Sequence, residues 1–364
     1  MEAMRIALCL SVLLLGCSAL CAQQPTSASD LEAVVNTDLG TFRFEFLPDK
    51  APKHVEQFLR LARQGYYDGS AFFRVFANGL IQGGDPLLKD PKTQRVLWGT
   101  GGLNLLSPEF SDVKHERGII STVSIPNKPD SDGAQFFVCV SPQPSLDGKY
   151  SVFGQVTEGM HVVEAISRVP VASDEKTEKP VRIIKITIEP KKKQPFADTP
   201  VAQLNRTVTM KTTLGIVKIQ LQPDWAPETV RNFLTLTESG WYNGTAFHRV
   251  VKGFVAQGGM GDTRTTDADV PGDRWVHNIK GEFKDGVKHE RGIVSMARGD
   301  DPNSATTSFF LMLGAAPHLD GQYAAFGKVI EGMDVLDAFD KLEVNGETPM
   351  QRVEIISATV DPEH

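Results

Sequence analysis

An arginine recurs in the middle of two similar phrases of the sequence. Residues 71–84 read "AFFRVFANGLIQGG" and residues 246–259 read "AFHRVVKGFVAQGG", with seven of fourteen positions identical. Both phrases keep an arginine (Arg74, Arg249) and, eight residues later, a glutamine (Gln82, Gln257). A guanidinium stays protonated and holds five N–H donors in a rigid fork. The two arginines are therefore candidate hydrogen-bond donors to a reacting group.

The second phrase lies among apolar groups. Phe254, Phe310 and Leu319, with Gln257, belong to short strand or turn segments that we expect to face one side of a sheet. An uncharged apolar pocket with one guanidinium suits a neutral, apolar substrate with one carbonyl to hold. The alternative is a surface arginine over a phenylalanine-rich core, and composition alone favours that alternative.

Other kinds of catalytic site find little support in the residue pattern. Metal sites need clustered ligands, and the equivalent His115 and His289 in "KHERG" have no histidine partner nearby in sequence, so we predict a structural role for both. "QGGD" and "GTGGLN" lack the lysine and the helix of a phosphate-binding loop, and a nucleophile elbow is absent from the sequence. Cys139 in "QFFVCV" is predicted to be a buried small hydrophobe. We therefore expect neither a metal nor a cofactor.

Charge and the N-terminus limit the partners and the location. The net charge of −7 argues against nucleic acid, because no basic excess is present to meet phosphates. Residues 1–22 combine Arg5, an apolar run from Ile6 to Leu15 and then small residues, which is typical of a secretory signal peptide. "LLGC" also resembles a bacterial lipoprotein box, which would make Cys17 the lipidated residue; cleavage near Cys21 is the alternative. We expect an exported, periplasmic, monomeric protein that is membrane-anchored only if Cys17 carries a lipid.

The chain repeats itself with an offset of 173–175 residues. "KHERGIIS" at 114–121 returns as "KHERGIVS" at 288–295, and "LDGKY" at 146–150 returns as "LDGQY" at 319–323. A period this long indicates two complete domains rather than a solenoid. We predict domains over 30–189 and 205–362, joined by a semi-extended, proline-containing linker over 190–204.

Each unit has the pattern of a small β-rich domain. Apolar and polar residues alternate in Thr41–Leu47 and Ile216–Leu221, as in half-buried antiparallel strands. A helix follows, with Pro52 or Pro227 at its first position. A second short helix is predicted near 160–168 and 333–342. Many short strands with two helices favour an antiparallel barrel with helical caps.

Four motifs of the second unit have counterparts in the first: "FHRVVKGFVAQGG" (247–259), "GIVSMAR" (292–298), "SFF" (308–310) and "HLDGQYAAFGKVIEGMDVL" (318–336). Together they resemble the cyclophilins, the peptidyl-prolyl cis–trans isomerase family. The resemblance covers nearly the whole chain after the signal segment, twice. It implies a mainly β fold of two closed eight-stranded antiparallel β-barrels, each capped by two α-helices. It also implies binding of proline-containing polypeptides, without cofactor, on the outer face of the barrel.

The resemblance assigns roles in the second domain residue by residue. Arg249 becomes the catalytic donor to the prolyl nitrogen. Three positions depart from the family pattern: Ser308 stands where glutamine is usual, His318 where many members have tryptophan, and Tyr323 where histidine is usual. The substrate-binding set implied for this domain is Phe254, Val255, Gln257, Ala297, Ser308, Phe310, His318, Leu319 and Tyr323.

The first domain keeps the arginine but departs further from the pattern. Gly79 stands where the pocket phenylalanine belongs, Asn78 replaces the preceding glycine, and Ser145 replaces the tryptophan. Phe76 or Leu80 could fill part of the lost aromatic volume. With Arg74 as the catalytic donor, the substrate-binding set is Leu80, Gln82, Gln135, Phe137, Leu146 and Tyr150.

Two functions are consistent with these residues. The first is an exported isomerase for Xaa–Pro bonds, with the second domain active and the first weak or altered in specificity. The second is a binding or chaperone module that grips proline-containing segments without turnover. A mixed form, in which the first domain recruits clients for the second, lies between them.

Overall fold

The structure is a computed structural model that describes residues 27–103, 105–124, 130–265 and 272–362. The predicted signal segment over 1–22, including Cys17, lies outside the described residues. Within the described ranges, no helix combines the length and the apolarity needed to cross a membrane.

Eight antiparallel strands close the first domain into a barrel. The strands are joined in the order β1-β2-β7-β5-β6-β4-β3-β8. The bounds are β1 Leu31–Thr37, β2 Gly40–Phe46, α1 Pro52–Arg63, β3 Ala71–Phe76, β4 Leu80–Gly83, β5 Ile119–Thr122, β6 Phe136–Cys139, β7 Val152–Glu158, α2 Met160–Ser167 and β8 Lys176–Pro190.

The second domain repeats this plan with one interruption. Its main sheet has the order β11-β19-β9-β10-β16-β14-β15-β13-β12. The bounds are β9 Thr207–Thr212, β10 Gly215–Leu221, α3 Pro227–Glu238, β11 Ala246–Phe247, β12 Arg249–Val251, β13 Val255–Gly258, β14 Ile293–Met296, β15 Phe309–Met312, β16 Ala325–Glu331, α4 Met333–Lys341, β17 Val344–Asn345, β18 Thr348–Pro349 and β19 Val353–Val360.

The interruption falls at His248, between β11 and β12. In the first domain the equivalent strand β3 is continuous and pairs with both β8 and β4. In the second, β11 pairs with β19 and β12 pairs with β13. β11 and β12 are the edges of the sheet, and the chain connects them through His248 without a run of backbone pairing between them. The predicted fold class is confirmed, but the second barrel is nearly closed rather than closed.

The helices form where the sequence pattern predicts them. Pro52 and Pro227 occupy the first helical turn, where a missing N–H costs nothing. Val55, Phe58 and Leu59 face the first barrel and are buried. Gly65 ends the first helix region with φ +67°, a left-handed conformation that glycine adopts without strain.

Both barrel interiors are filled with aromatic rings. In the first, Phe58 stacks on Tyr67 with ring centroids 4.8 Å apart and meets Phe136 edge to face at 5.7 Å. In the second, Phe233 packs against Phe309 and Phe326 at 5.5 and 4.9 Å. A small barrel filled in this way leaves its outer face for ligands.

A buried histidine ties α1 of the first domain to two loops. His54 Nδ1 lies 2.6 Å from Glu109 and Nε2 lies 2.9 Å from Asp132, which also accepts hydrogen bonds from the hydroxyls of Thr122 and Ser151. Burial lowers the pKa of His54, but the hydrogen bonds that its ring donates to Asp132 and Glu109 outweigh burial and raise the pKa above its ordinary value. With a carboxylate at each ring nitrogen, the histidine is held as an imidazolium.

The predicted linker is docked against the second domain. β8 runs to Pro190, and Thr235 Oγ1 of α3 donates to the carbonyl of Pro195 at 2.7 Å. Arg231 of α3 donates to the carbonyls of Phe196 and Thr199. The segment between the barrels is thus held by side chains of α3.

An ion cluster joins the two domains. Arg274 of the second domain is 1% exposed, and its guanidinium contacts Glu32 at 2.7 Å, Glu45 at 2.9 Å and Glu158 at 3.1 Å, all of the first domain. Arg43 lies on the other side of Glu32 at 2.7 Å. Because a buried charge is stable only when it is paired, this cluster fixes how the barrels meet.

Candidate functional site

A hairpin on the outer face of the second barrel carries the candidate catalytic group. β12 and β13 pair so that Arg249 lies opposite Gln257. The turn between them needs the left-handed conformation of Gly253, with φ +69°. Phe254 follows this turn, and its carbonyl accepts a hydrogen bond from Leu313 at 2.8 Å. The hairpin therefore presents an arginine, a glutamine and an aromatic ring together.

The floor and far wall of the site come from β15 and the turn after it. Phe310 pairs with Gln257 in the β13–β15 register. A short 3-10 turn over Pro317–Leu319 brings His318 beside Phe254, with ring centroids 5.5 Å apart. Tyr323 meets Phe310 edge to face at 5.7 Å. Apolar surfaces thus enclose one side of the arginine.

These side chains line a cavity of about 540 Å³. It contains every residue predicted for the second site except Ser308, and it adds Arg298 and Gln322. Ser308 lies behind the cavity, where its hydroxyl accepts from Gln257 at 3.3 Å and donates to the carbonyl of Gly258 at 3.0 Å. The lining residues are Arg249, Phe254, Val255, Gln257, Ala297, Arg298, Phe310, His318, Leu319, Gln322 and Tyr323.

The guanidinium of Arg249 is oriented by two side chains of its own domain. Its Nε donates to Glu347 at 2.6 Å and its Nη2 to the same carboxylate at 3.2 Å, while Nη1 donates to Gln257 at 3.5 Å. The hydrogen bond from Arg249 lowers the pKa of Glu347, which keeps this carboxylate charged. The arrangement gives one cation with fixed orientation at the edge of an apolar cavity.

A buried histidine supports the phenylalanine at the floor. His289 stacks on Phe310 with centroids 6.4 Å apart, and its Nε2 lies 3.0 Å from Ser295. Its backbone N–H and Nδ1 both meet Asp320, at 2.8 and 3.1 Å. Backbone donation from His289, followed by Lys288, lowers the pKa of Asp320 to about 2. His115 has the same partners in the first domain, Ser121 and Asp147, which agrees with a structural role.

The first domain assembles an equivalent but altered site. Arg74 lies opposite Gln82, and Gln82 donates to Gln135 at 3.0 Å. Phe137 and Tyr150 meet edge to face at 5.4 Å, in the position of the Phe310–Tyr323 pair. Leu80 and Leu146 pack against the same small apolar cluster. All residues predicted for this site therefore come together.

The aromatic wall is missing from the first site, although the backbone that would carry it is unchanged. Asn78 takes the left-handed conformation of Gly253, with φ +56°, and Gly79 donates to Phe76 as Phe254 donates to Val251. A Cβ on Gly79 would lie 3.5 Å from Nε2 of Gln143, an ordinary contact distance. Phe76 does not replace the wall, because its ring lies against the guanidinium of Arg74 at 4.7 Å.

Several residues of the two sites were not anticipated from the sequence. Gln143 takes the place of Ala316, since each donates its backbone N–H to the carbonyl of the buried KHERG histidine at 2.8 Å. Glu347 and Glu175 approach their arginines from loops about a hundred positions further along the chain. Contacts of this range leave no local pattern in a single sequence.

Other candidate chemistry is limited in the described part of the chain. Cys139 is fully buried in β6, and burial raises the pKa of its thiol to about 12, which agrees with the predicted apolar role. The described ranges contain no group of three or more His, Cys, Asp or Glu side chains arranged to hold a metal ion.

Comparison with known proteins gives a consistent result. The family model "Cyclophilin type peptidyl-prolyl cis-trans isomerase/CLD" matches residues 33–188 and 207–360. The chain is 42% identical over 156 residues to peptidyl-prolyl cis-trans isomerase-like 3 of Gallus gallus, which covers 42% of this chain and 94% of that protein. It is 37% identical over 169 residues to a peptidyl-prolyl cis-trans isomerase of Acinetobacter baylyi, covering 44% and 87%.

Among solved structures, the chain is similar to a cyclophilin-type isomerase of Cryptosporidium parvum that was crystallised in the presence of the dipeptide Ala-Pro. The two are 29% identical, the match covers 44% of this chain and 99% of that one, and the TM-score is 0.39. The family model accounts for most of this chain in two consecutive regions, each of which folds into one barrel. The chain therefore belongs to the cyclophilin-type peptidyl-prolyl cis–trans isomerase family.

Proposed function

We propose that this protein accelerates rotation about Xaa–Pro bonds of exported polypeptides and that its second domain is the more active copy. The observation that carries the proposal is the cavity of the second domain, where Arg249 and Gln257 face an apolar wall formed by Phe254, Phe310 and Leu319. It offers one cation and a hydrophobic surface, which is what a prolyl amide needs.

The chemistry follows from the properties of the prolyl bond. Rotation must break amide resonance, at a cost of about 18–20 kcal/mol, although the two isomers differ little in energy. As the bond twists, the prolyl nitrogen becomes pyramidal and its lone pair can accept a hydrogen bond. An N–H of Arg249 donates to that lone pair in the twisted state and not to the planar amide. Such differential stabilisation lowers the barrier without a covalent step.

The apolar wall holds the substrate while the bond rotates. The proline ring lies against Phe254, Phe310 and Leu319, which remain fixed on the barrel face. The carbonyl side of the bond is then the part that swings. Gln257, whose side chain is held by Ser308, lies beside Arg249 and adds a polar contact for the peptide backbone.

The first domain supports the same reaction less well. Gly79 supplies no aromatic ring. The amide of Gln143 lies beside the position that the Cβ of such a side chain would take. This polar group favours the second candidate function for the first domain alone: binding of client segments with little turnover. Linked to an active second domain, such a site would raise the local concentration of clients.

The test compares the two arginines in the full-length protein. Removing one preorganised donor typically lowers kcat by about 10²–10³-fold. We expect Arg249→Ala to lose most of the acceleration of cis–trans exchange in a short Xaa-Pro peptide, measured by exchange spectroscopy, and Arg74→Ala to lose little. Undiminished exchange with Arg249→Ala refutes the proposal. Peptide signals that broaden without faster exchange in the wild-type protein support the binding module instead.

Export and anchoring need a separate experiment. Residues 1–22 have the pattern of a signal segment, and we propose a periplasmic protein whose membrane attachment depends on a lipid at Cys17. Cell fractionation with a labelled fatty acid tests this directly. Label that persists in Cys17→Ala excludes Cys17 as the lipidation site, and retention of the wild-type protein in the cytoplasm excludes export.

A further inference from the structure

A carboxylate from outside the family motifs holds one edge of the Arg249 guanidinium. Glu347 lies in the turn between β17 and β18 and receives two hydrogen bonds, from Nε and Nη2. With the bond from Nη1 to Gln257, these use three of the five N–H groups. The other two, one on each terminal nitrogen, have no hydrogen-bond partner among the described residues.

The first domain reaches the same arrangement by a different loop. Glu175 receives Nε of Arg74 at 3.2 Å and Nη2 at 2.6 Å. In each domain the glutamate's carbonyl also accepts from the residue after the arginine, Val75 at 2.9 Å and Val250 at 2.7 Å. The two carboxylates thus occupy equivalent places in the fold.

The two loops nevertheless differ in sequence and in turn geometry. In the second domain the left-handed residue is Gly346, with φ +63°, just before Glu347. In the first domain it is Glu175 itself, with φ +62°, a conformation that costs a non-glycine residue energy. Two unlike loops therefore place a carboxylate on the same edge of an arginine, in one case against local strain.

We propose that Glu347 is a positioning residue for isomerisation in the second domain, resting on the function proposed above. Its carboxylate fixes the Nε–Nη2 edge of Arg249, so that the free N–H groups of the two terminal nitrogens point to the prolyl nitrogen. Glu175 does the same for Arg74. Neither glutamate touches the reacting atoms.

The exposure of the pair sets the size of the effect. Arg249 is 34% exposed and Glu347 56%, so water screens their attraction. Exposed ion pairs of this kind change an equilibrium by about two- to five-fold. Because the contact orients a donor that acts in the twisted state, the loss falls on kcat and not on KM.

The test uses full-length protein carrying Arg74→Ala, so that the second site accounts for the measured turnover. Glu347→Ala, Glu347→Gln and Glu347→Asp are compared with Glu331→Gln. Glu331 pairs with Lys218 at 3.2 Å with similar exposures of 63% and 34%, and neither residue lines the cavity. We expect Glu347→Ala to lower kcat by about two- to five-fold with KM unchanged. Glu347→Asp should recover part of the loss, and Glu331→Gln should match the parent.

Three outcomes overturn the inference. An unchanged kcat in Glu347→Ala shows that the ion pair is incidental, and an increase shows that Glu347 restrains the arginine instead of serving it. A change in KM alone assigns the glutamate to substrate binding. Thermal melts of Glu347→Ala and the parent show whether a loss of kcat comes from unfolding. If the parent does not accelerate cis–trans exchange at all, the proposed function itself is wrong, and the positioning role of Glu347 falls with it.

Discussion

Exchanging one residue between the two sites should transfer part of the activity from one domain to the other. Phe254 and Gly79 occupy the same place on the same backbone, each directly after a left-handed residue. Phe254→Gly removes the aromatic ring from the second site, as in the first domain. Gly79→Phe adds a ring to the first site. Gly79 does not have a positive φ, and a Cβ there meets its nearest neighbours at 3.4 Å or more, so the backbone accepts the first atom of a side chain.

The magnitude follows from the area that the ring offers to a proline. Full burial of a phenylalanine side chain contributes about 1.5–3 kcal/mol. Phe254 is half-buried and packs against His318, so a bound proline covers only the remaining surface of the ring. We expect about 1–1.5 kcal/mol, or a five- to tenfold fall in kcat/KM, for Phe254→Gly.

The gain in kcat/KM of the first domain should be smaller, because two neighbours of Gly79 differ from their counterparts around Phe254. Gln143 must move aside, and Ser145 provides no ring like that of His318. We expect Gly79→Phe to raise kcat/KM of the first site about threefold, and up to about tenfold when Gln143→Ala is added.

Both halves of the exchange are measured in full-length protein with the other site silenced. Phe254→Gly is tested with Arg74→Ala, and Gly79→Phe with Arg249→Ala, by exchange spectroscopy on one Xaa-Pro peptide. Tyr323→Phe, which keeps the ring and removes a hydroxyl, is the control for general disturbance of the pocket. Equal kcat/KM for Phe254→Gly and its parent would refute the assignment of the aromatic wall.

Three further predictions concern charges that hold the domains. Arg274→Ala should lower the free energy of unfolding by about 3 kcal/mol and separate the two domain transitions in calorimetry, whereas the exposed Lys192→Ala should change little. The raised pKa of His54 means that its protonated form stabilises the first domain below pH 6.5 and that this stability is lost as pH rises through the folded pKa. Thermal melts from pH 5 to 9 should show this fall in stability, and His54→Gln should abolish the pH dependence. Asp320, whose pKa lies at about 2 instead of 3.8, stabilises the second domain above pH 3.8 and loses this effect as pH falls through 2. Asp320→Asn should therefore lower Tm at pH 7 and leave it unchanged at pH 1.5; an equal shift at both values would contradict the anchoring of His289.

The fold was predictable because each element carries its own local signal. Pro52 and Pro227 mark the helix starts, and the alternation in 41–47 marks β2. The break at His248 was not predictable, because Ala246, Phe247 and Val250 read as one strand. It depends on which partner each half of that strand finds, β19 or β13.

The candidate sites were predictable where a motif is local. The loss of the ring at Gly79 could be recognised within a single phrase. Gln143 could not, because it reaches Gly79 across a gap of 64 residues and acts through its side chain. His54 was missed for the same reason, since its carboxylate partners lie 55 and 78 residues away.

The contact at Arg274 also shows that the two barrels are not interchangeable at the surface where they meet. It joins a loop of the second barrel to strand faces of the first, which is a head-to-tail arrangement and not a two-fold one. The receiving face pairs Glu32 with Glu45, whereas the corresponding pair in the second barrel is Thr207 with Gln220, both uncharged. Of the three carboxylates that hold Arg274, only Glu158 has an acidic counterpart there, Glu331, and that one pairs with Lys218. The two copies are thus specialised at this surface, with one barrel receiving the contact and the other making it.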